Sequence, residues 1–444
     1  MTKQKIILMI LAALLIMTLS HLGGFDNSVA REDPATPDLI NIDPTELGEF
    51  PSAADGIQIF QKRVKHNSKD AVSLAILGQL YLRQARQTGD VTYYQQAEAA
   101  LHQALALLPG YVPAQITLAS TLYAQHNFIE ALDIARRLYQ ENPQNSEALA
   151  IMGDAYLALG KYQEAGDIFR ELSQRQLTPP VLARLAHQAE LHGQPEEALQ
   201  LMQRAARETL AAGQSREELV WYLIRLGDLY FNGGQLQLAG AHYEAALRLF
   251  DNQPIALAGL GKVRAAQGQY AAAIRLYEQA IAVIPQPDLL AALGDLYLLA
   301  GQPDQAQRHY DTVEYTGKLA EINRQLYNRQ LANFYADHDR HVDKALALAL
   351  AELELRRDIY GFDTAAWAYY KNGRFDEAQQ MMEQAMALGT RDAKLYYHAG
   401  MIAWAQADLA SAKAWLDTAL AINPYFDLRQ AALARETLQK IEVN

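Results

Sequence analysis

The stretch MGDAYLALGKYQEAGDIFREL, residues 152–172, distributes its apolar and polar positions as two short amphipathic helices do. Gly153 lies inside the first helix, Gly160 between the two, and Ala165 and Phe169 in the second. LLAALGDLYLLAGQPDQAQRHYDTV, residues 289–313, repeats the arrangement with Gly294, Tyr297, Gly301, Ala306 and Tyr310. The alanine of the second helix recurs as Ala97, Ala131, Ala165, Ala198, Ala239, Ala273, Ala306, Ala345, Ala378 and Ala412, at intervals of 34, 34, 33, 41, 34, 33, 39, 33 and 34 residues. Ten helix pairs follow from this period, and pairs that bury their apolar faces against neighbours build a solenoid.

The small residue of each first helix is Gly78, Ala119, Gly153, Ala186, Gly227, Gly261, Gly294, Ala332, Ala366 or Gly400. Glycine inside a helix is about 1 kcal/mol worse than alanine, so six of them require a compensating contact. The expected contact is a close approach of two backbones at the small residue of the first helix and the alanine of the second. Gly160, Gly193, Gly234, Gly268, Gly301 and Gly373, each seven residues after the small position, are expected to end the first helix in a left-handed residue. Pro109, Pro143, Pro285 and Pro424 close the second helix. Ile57, Phe60 and Val64 mark one face of a helix that reads as the second half of a degenerate repeat, and residues 427–441 read as a terminal capping helix.

These positions resemble the tetratricopeptide repeat, whose pattern sets Leu, Gly, Tyr, Ala, an aromatic, Ala and Pro at fixed offsets. The resemblance covers about residues 57–426. It is strong in 147–172, 223–250 and 257–313 and weaker in 181–209 and 326–355, where alanine replaces glycine and tyrosine. It implies an all-α, right-handed superhelical solenoid of about ten antiparallel helix pairs with N- and C-terminal capping helices, binding a protein partner in its concave groove and needing no cofactor. In the family, residues following the small position and following the tyrosine face that groove. The candidates carried over are Asp154, His187, Asp228, Phe231, Asp295, Leu298, Trp367, Tyr370 and Trp404. Asp154, Asp228 and Asp295 read either as an acceptor line for a basic or amide-rich partner or as an acidic stripe that keeps the groove wet; the apolar members also read as packing against the next repeat. The clamp by which some family members hold a terminal carboxylate needs cations where this sequence has aspartates, so acidic tails are disfavoured.

Three irregularities interrupt the period. Seven extra residues stand between Tyr81 and Ala97 and seven between Ala198 and Gly227, about two helical turns each, so each insertion is expected to lengthen both helices of a pair and form a protruding hairpin. The third, EYTGKLAEINRQLYNRQ at 314–330, is expected to bend the array and set apart a C-terminal block of three repeats.

Composition narrows the function classes. The net charge is −12, which disfavours nucleic acid, whose phosphates call for clustered Lys and Arg. The absence of cysteine excludes disulfides, thiolate metal sites, cysteine nucleophiles and lipid-modified cysteine. Lys3 and Lys5 precede an apolar run from Ile6 to Leu19, the form of a signal peptide or N-terminal membrane anchor within residues 1–25, and Ser28-Val29-Ala30 offers a small-x-small cleavage site. Residues 26–56, with Pro34, Pro37, Pro44 and Pro51 and eight acidic residues against Arg31, read as an extended linker before a solenoid over 57–426 and a cap over 427–444. HDRH at 338–341, beside Asp337 and Asp343, is a metal candidate by residue type, set against exposed polar residues expected at a helix turn. GLGKVR at 259–264 is explained by its place in the repeat, and no nucleotide or hydrolase motif occurs. The expectation is a non-catalytic interaction scaffold outside the cytoplasmic membrane, with an accessory subunit of an envelope complex, such as polysaccharide synthesis or export, as the alternative.

Overall fold

The computed structural model describes residues 38–42, 52–213, 216–322 and 328–443; the expected signal or anchor segment 1–25 and most of the linker lie outside them. Among the described residues there are twenty-two α-helices and no strand. The first helices of the ten pairs are α2 (Ala71–Thr88), α4 (Val112–Ala124), α6 (Ser146–Ala158), α8 (Pro179–Leu191), α10 (Arg216–Asn232), α12 (Pro254–Ala266), α14 (Pro287–Leu299), α16 (Asn328–Asp337), α18 (Ile359–Lys371) and α20 (Ala393–Ala405). Their partners are α3 (Thr92–Leu107), α5 (Phe128–Glu141), α7 (Tyr162–Arg175), α9 (Pro195–Ala211), α11 (Leu236–Leu249), α13 (Tyr270–Val283), α15 (Pro303–Ile322), α17 (Val342–Leu355), α19 (Phe375–Ala385) and α21 (Leu409–Ile422). α1 (Ala53–His66) precedes them and α22 (Gln430–Val443) follows. No helix among the described residues is long and apolar enough to cross a membrane.

The period sets the packing. All ten recurring alanines are buried, but the small residue of the first helix meets the side chain four positions further on. A Cβ on Gly153 would stand 2.5 Å from the Phe169 ring, on Gly227 2.6 Å from Tyr243, on Gly261 2.8 Å from Tyr277, and on Gly78 2.6 Å from Leu101. Where the small residue is alanine, at 119, 186, 332 and 366, that facing residue is Ala135, Met202, Ala349 or Met382. Each glycine thus makes room for a ring or a leucine, and each alanine stands opposite a small alanine or an adaptable methionine, which keeps the interior close-packed.

The six turn glycines all have φ between 71° and 74°. His126, Asp339 and Ala407 hold the same left-handed turn position in the repeats that lack glycine, at φ 63°, 52° and 60°. At the other end of the hairpins, Asn142, Ile284 and Asn423 are extended and Leu108 is non-helical at ψ 82°, as the prolines that follow favour, and they stop the second helices.

The solenoid also coils back on itself. The turn of one pair packs on the connection that follows the pair five places later. Gly89 lies against Ile284, Gly160 against the carbonyl of Arg357, Gly193 against the carbonyl of Gly389, and Gly234 beside Ile422 and Pro424. Hydrogen bonds fasten this seam: Ile359 N–H donates to the Tyr162 hydroxyl at 2.7 Å, Thr390 Oγ1 to the Leu191 carbonyl at 2.5 Å, and Asn423 Nδ2 to the Phe231 carbonyl at 2.8 Å.

Three expectations change. α9 and α10 are each 17 residues long and α2 is 18, against 13 or 14 in regular pairs, so the insertions do lengthen helices. They do not simply protrude: Arg83 of the first meets Glu217 of the second at 2.5 Å, joined by Gln87 at 3.0 Å. The region near 314–330 sets no block apart, because one apolar core runs from Leu257 through Val313 and Leu331 to Ala434. Within the expected linker, the helix already begins at Ala53, capped by Ser52. Leu39 and Ile42 are buried against the fourth and fifth pairs, and Arg248 donates to the Ile40 carbonyl.

Candidate functional site

The inner row of the first helices carries most of the sequence-derived candidates, and neighbouring helices pair its charges. Arg184 of α8 grips Asp154 of α6 with two hydrogen bonds, Nε to Oδ1 at 2.8 Å and the second guanidinium nitrogen to Oδ2 at 2.7 Å. Arg225 of α10 reaches Glu190 of α8 at 2.9 Å and Asp228 on its own helix at 3.1 Å, while the Tyr243 hydroxyl donates to Asp228 at 2.7 Å. His187 stands 3.3 Å from Glu190. Burial would raise the Glu190 carboxyl, but His187 and Arg225 hold it below the usual range. Phe231 is buried, with Lys262 over its ring at 5.2 Å.

The C-terminal part is a second network. Asp295 of α14 accepts from the Tyr310 hydroxyl at 2.6 Å, meets His338 Nε2 at 2.9 Å and faces Arg429 at 3.3 Å. Asp337, at the end of α16, accepts from Trp367 Nε1 at 2.7 Å, Gln430 Nε2 at 2.7 Å and Lys394 Nζ at 3.2 Å. Burial opposes ionisation of Asp337, yet Lys394, His398 and His338 together bring its pKa below normal; Lys394 is raised in turn, because Asp337, Asp427 and Asp363 outweigh its burial. The Trp367 ring lies between Tyr370 at 4.7 Å and His398 at 4.1 Å, both stacked, and is itself buried. Asp295, Asp337, Trp367, Arg429 and Gln430 border a cavity of about 60 Å³.

The expected acceptor line is therefore satisfied within the chain: Asp154, Asp228 and Asp295 all accept from their own neighbours. Phe231 and Trp367 are core residues and offer a partner no surface. Leu298 is exposed, and Tyr370 and Trp404 are half-buried. The two imidazoles of HDRH diverge, His338 inward to Asp295 and His341 outward, 3.9 Å from Glu314. No group of three metal-ligating side chains is assembled among the described residues. The cations of the inner row escaped the sequence reading. Arg184 and Arg225 each stand two residues before a small position, so the register that marks the aspartates also marks their partners.

Family models described as tetratricopeptide repeat match residues 122–191 and 264–318, 218–286, and 364–425. A curated human relative, Protein O-mannosyl-transferase TMTC1, is 26% identical over 229 residues, covering 50% of this chain and 24% of that protein. The chain thus spans about a quarter of that relative's length. Among solved structures it is similar to a tetratricopeptide repeat protein from Parabacteroides merdae, at 20% identity, 59% of this chain, 98% of that one and a TM-score of 0.35. It is also similar to a monomeric mutant of IFIT1 solved with Gppp-AAAA, at 16% identity, 75% of this chain, 76% of that one and a TM-score of 0.48.

Proposed function

We propose that this chain, which belongs to the tetratricopeptide-repeat family, is a non-catalytic scaffold that holds a protein partner outside the cytoplasmic membrane. The observation that carries the reading is the internal pairing of the inner face. Its carboxylates and cations bond one another between helices, Asp154 with Arg184, Glu190 with Arg225, Asp295 with Arg429 and Asp337 with Lys394. A surface open to a partner is the turn edge of the later pairs, with Leu298 exposed and Tyr370 and Trp404 half-buried. The compartment rests on Lys3, Lys5 and the apolar run that follows them. Crosslinking in cells, with the full-length chain compared against a Tyr370→Ala, Trp404→Ala variant, tests the surface. A partner lost from the folded variant supports it, and an unchanged set of partners contradicts it. Reporter fusions after residue 56 test the compartment, which an inward-facing reporter would contradict.

A second reading is favoured by the match to a protein named as an O-mannosyl-transferase. In it the scaffold serves a glycan-transferring enzyme of the envelope, and that enzyme should be among the captured proteins. Its absence from the capture would remove this reading and leave the first.

A further inference from the structure

We infer that the chain associates with itself head to tail, the turn edge of the later pairs in one copy receiving the connection edge of the early pairs in the next. The inference rests on the reading of that turn edge as the partner surface, and it names the partner as a second copy.

The argument is one of equivalent positions. Within the chain, the turns of pairs one, three, four and five are covered by connections lying five pairs later, whereas a Cβ at Gly268, Gly301 or Gly373, in the turns of pairs six, seven and nine, would meet nothing within 4 Å. Phe231 and Leu298 follow the same division. Phe231, four residues after the small position of pair five, is 3% exposed beneath Asn423; Leu298, at the same position of pair seven, is 45% exposed.

The opposite edge mirrors this. Ile284 and Asn423, each the extended residue that ends a second helix, are 7% and 1% exposed because an earlier turn packs on them. Leu108 and Phe250, in the same place after the first and fifth pairs, are 45% and 39% exposed. Asn142 repeats Asn423 closely: its side-chain oxygen accepts from the backbone N–H two residues on at 3.1 Å, as Asn423 does at 2.9 Å. Asn423 also donates across the seam to a turn carbonyl, and Asn142 is exposed with the same amide to offer.

Each free edge therefore carries the chemistry that the other edge accepts inside the molecule. A second copy continues an interface the chain already makes. The ends agree as well. α22 occupies the place of a first helix after α21, and α1 the place of a second helix before α2, so the two complete one further pair when copies meet. Because the two surfaces differ, the contact is heterologous and can extend beyond a dimer.

Sedimentation velocity of the full-length chain in detergent tests this with two variants, Leu108→Lys with Phe250→Lys on the connection edge, and Leu298→Glu with Leu299→Glu on the turn edge. All four residues are exposed, so both variants keep the fold, which circular dichroism melting verifies. The wild type is expected to associate with rising concentration, and each variant alone to weaken association at least about tenfold. An equimolar mixture of the two variants restores a one-to-one dimer, since one good edge survives on each. A monomeric wild type, variants that associate like it, or a mixture that stays monomeric would overturn the proposal. If the wild type is monomeric while Leu298→Glu, Leu299→Glu loses a different captured protein, the second copy is the wrong occupant and the scaffold reading stands.

Discussion

The carbonyl of Arg357 lies too close to Gly160 for a Cβ to fit there, so two residues far apart in sequence touch backbone to backbone. Gly301 has the same left-handed conformation, φ 74° against 72°, with nothing beside it. Alanine at either position takes on the left-handed strain of about 1–2 kcal/mol. Gly160→Ala should lose a further 1–3 kcal/mol or so by forcing the seam apart. Chemical denaturation of the two variants measures the difference, and equal losses would mean that the seam is not closed in solution.

The glycine inside the first helix is predicted to be coupled to the ring facing it. Gly153→Ala should destabilise the fold by about 1–3 kcal/mol, because its Cβ would stand 2.5 Å from the ring of the buried Phe169. Adding Phe169→Met creates the pair that Ala186 and Met202 already form in the fourth repeat, and should recover part of the loss. A double-mutant cycle reads the coupling directly; additive effects would show that the two side chains do not share this space.

Ala407 sits exposed in a left-handed turn at φ 60°. Relieving it with Ala407→Gly gains more than glycine's extra chain entropy removes, a net stabilisation of roughly 0.5–1 kcal/mol. A raised melting temperature is expected, and a lowered one would contradict the assignment of this position to the same turn class as Gly160.

His126 supplies the pH dependence. Burial, together with Arg356 and Arg329, lowers its pKa to about 4. The unfolded chain therefore binds the proton first as pH falls through about 6.5, and the folded state loses stability progressively until the folded form also titrates near 4. Above pH 6.5 this contribution is complete; at pH 4 it amounts to a loss of up to about 3 kcal/mol. Asparagine tolerates the left-handed backbone, so His126→Asn should flatten the stability profile between pH 6.5 and 4 relative to wild type. Parallel profiles would contradict burial of the imidazole.

The alanine ruler, the turn glycines and the prolines made the ten pairs legible from sequence, because each pair is held by contacts within about 34 residues. Nearest-neighbour packing does not fix the radius of the coil, so the closing of Gly193 on Gly389 and of Arg83 on Glu217 left no periodic trace. The same limit hid the fate of the groove. Asp154, Asp228 and Asp295 stand where the register places them, but Arg184 and Arg429 reach Asp154 and Asp295 from elsewhere in the fold, and Arg225, on Asp228's own helix, also bridges to Glu190 of the helix before. A Gly-to-Tyr match such as Gly227 with Tyr243 was half visible. The glycine was seen to need a close contact, and the ring four residues beyond the alanine, not the alanine itself, provides it.

The closed coil is tested most directly by a distance across the seam. The chain has no cysteine, so spin labels at Gln194→Cys and Arg391→Cys, beside the contact of Gly193 with Gly389, report without interference. The structure predicts a short and narrow distance distribution that broadens and lengthens only when denaturant unfolds the chain. A long or broad distribution under native conditions would mean that the turns of the coil stand apart, and the groove would again be open to a partner.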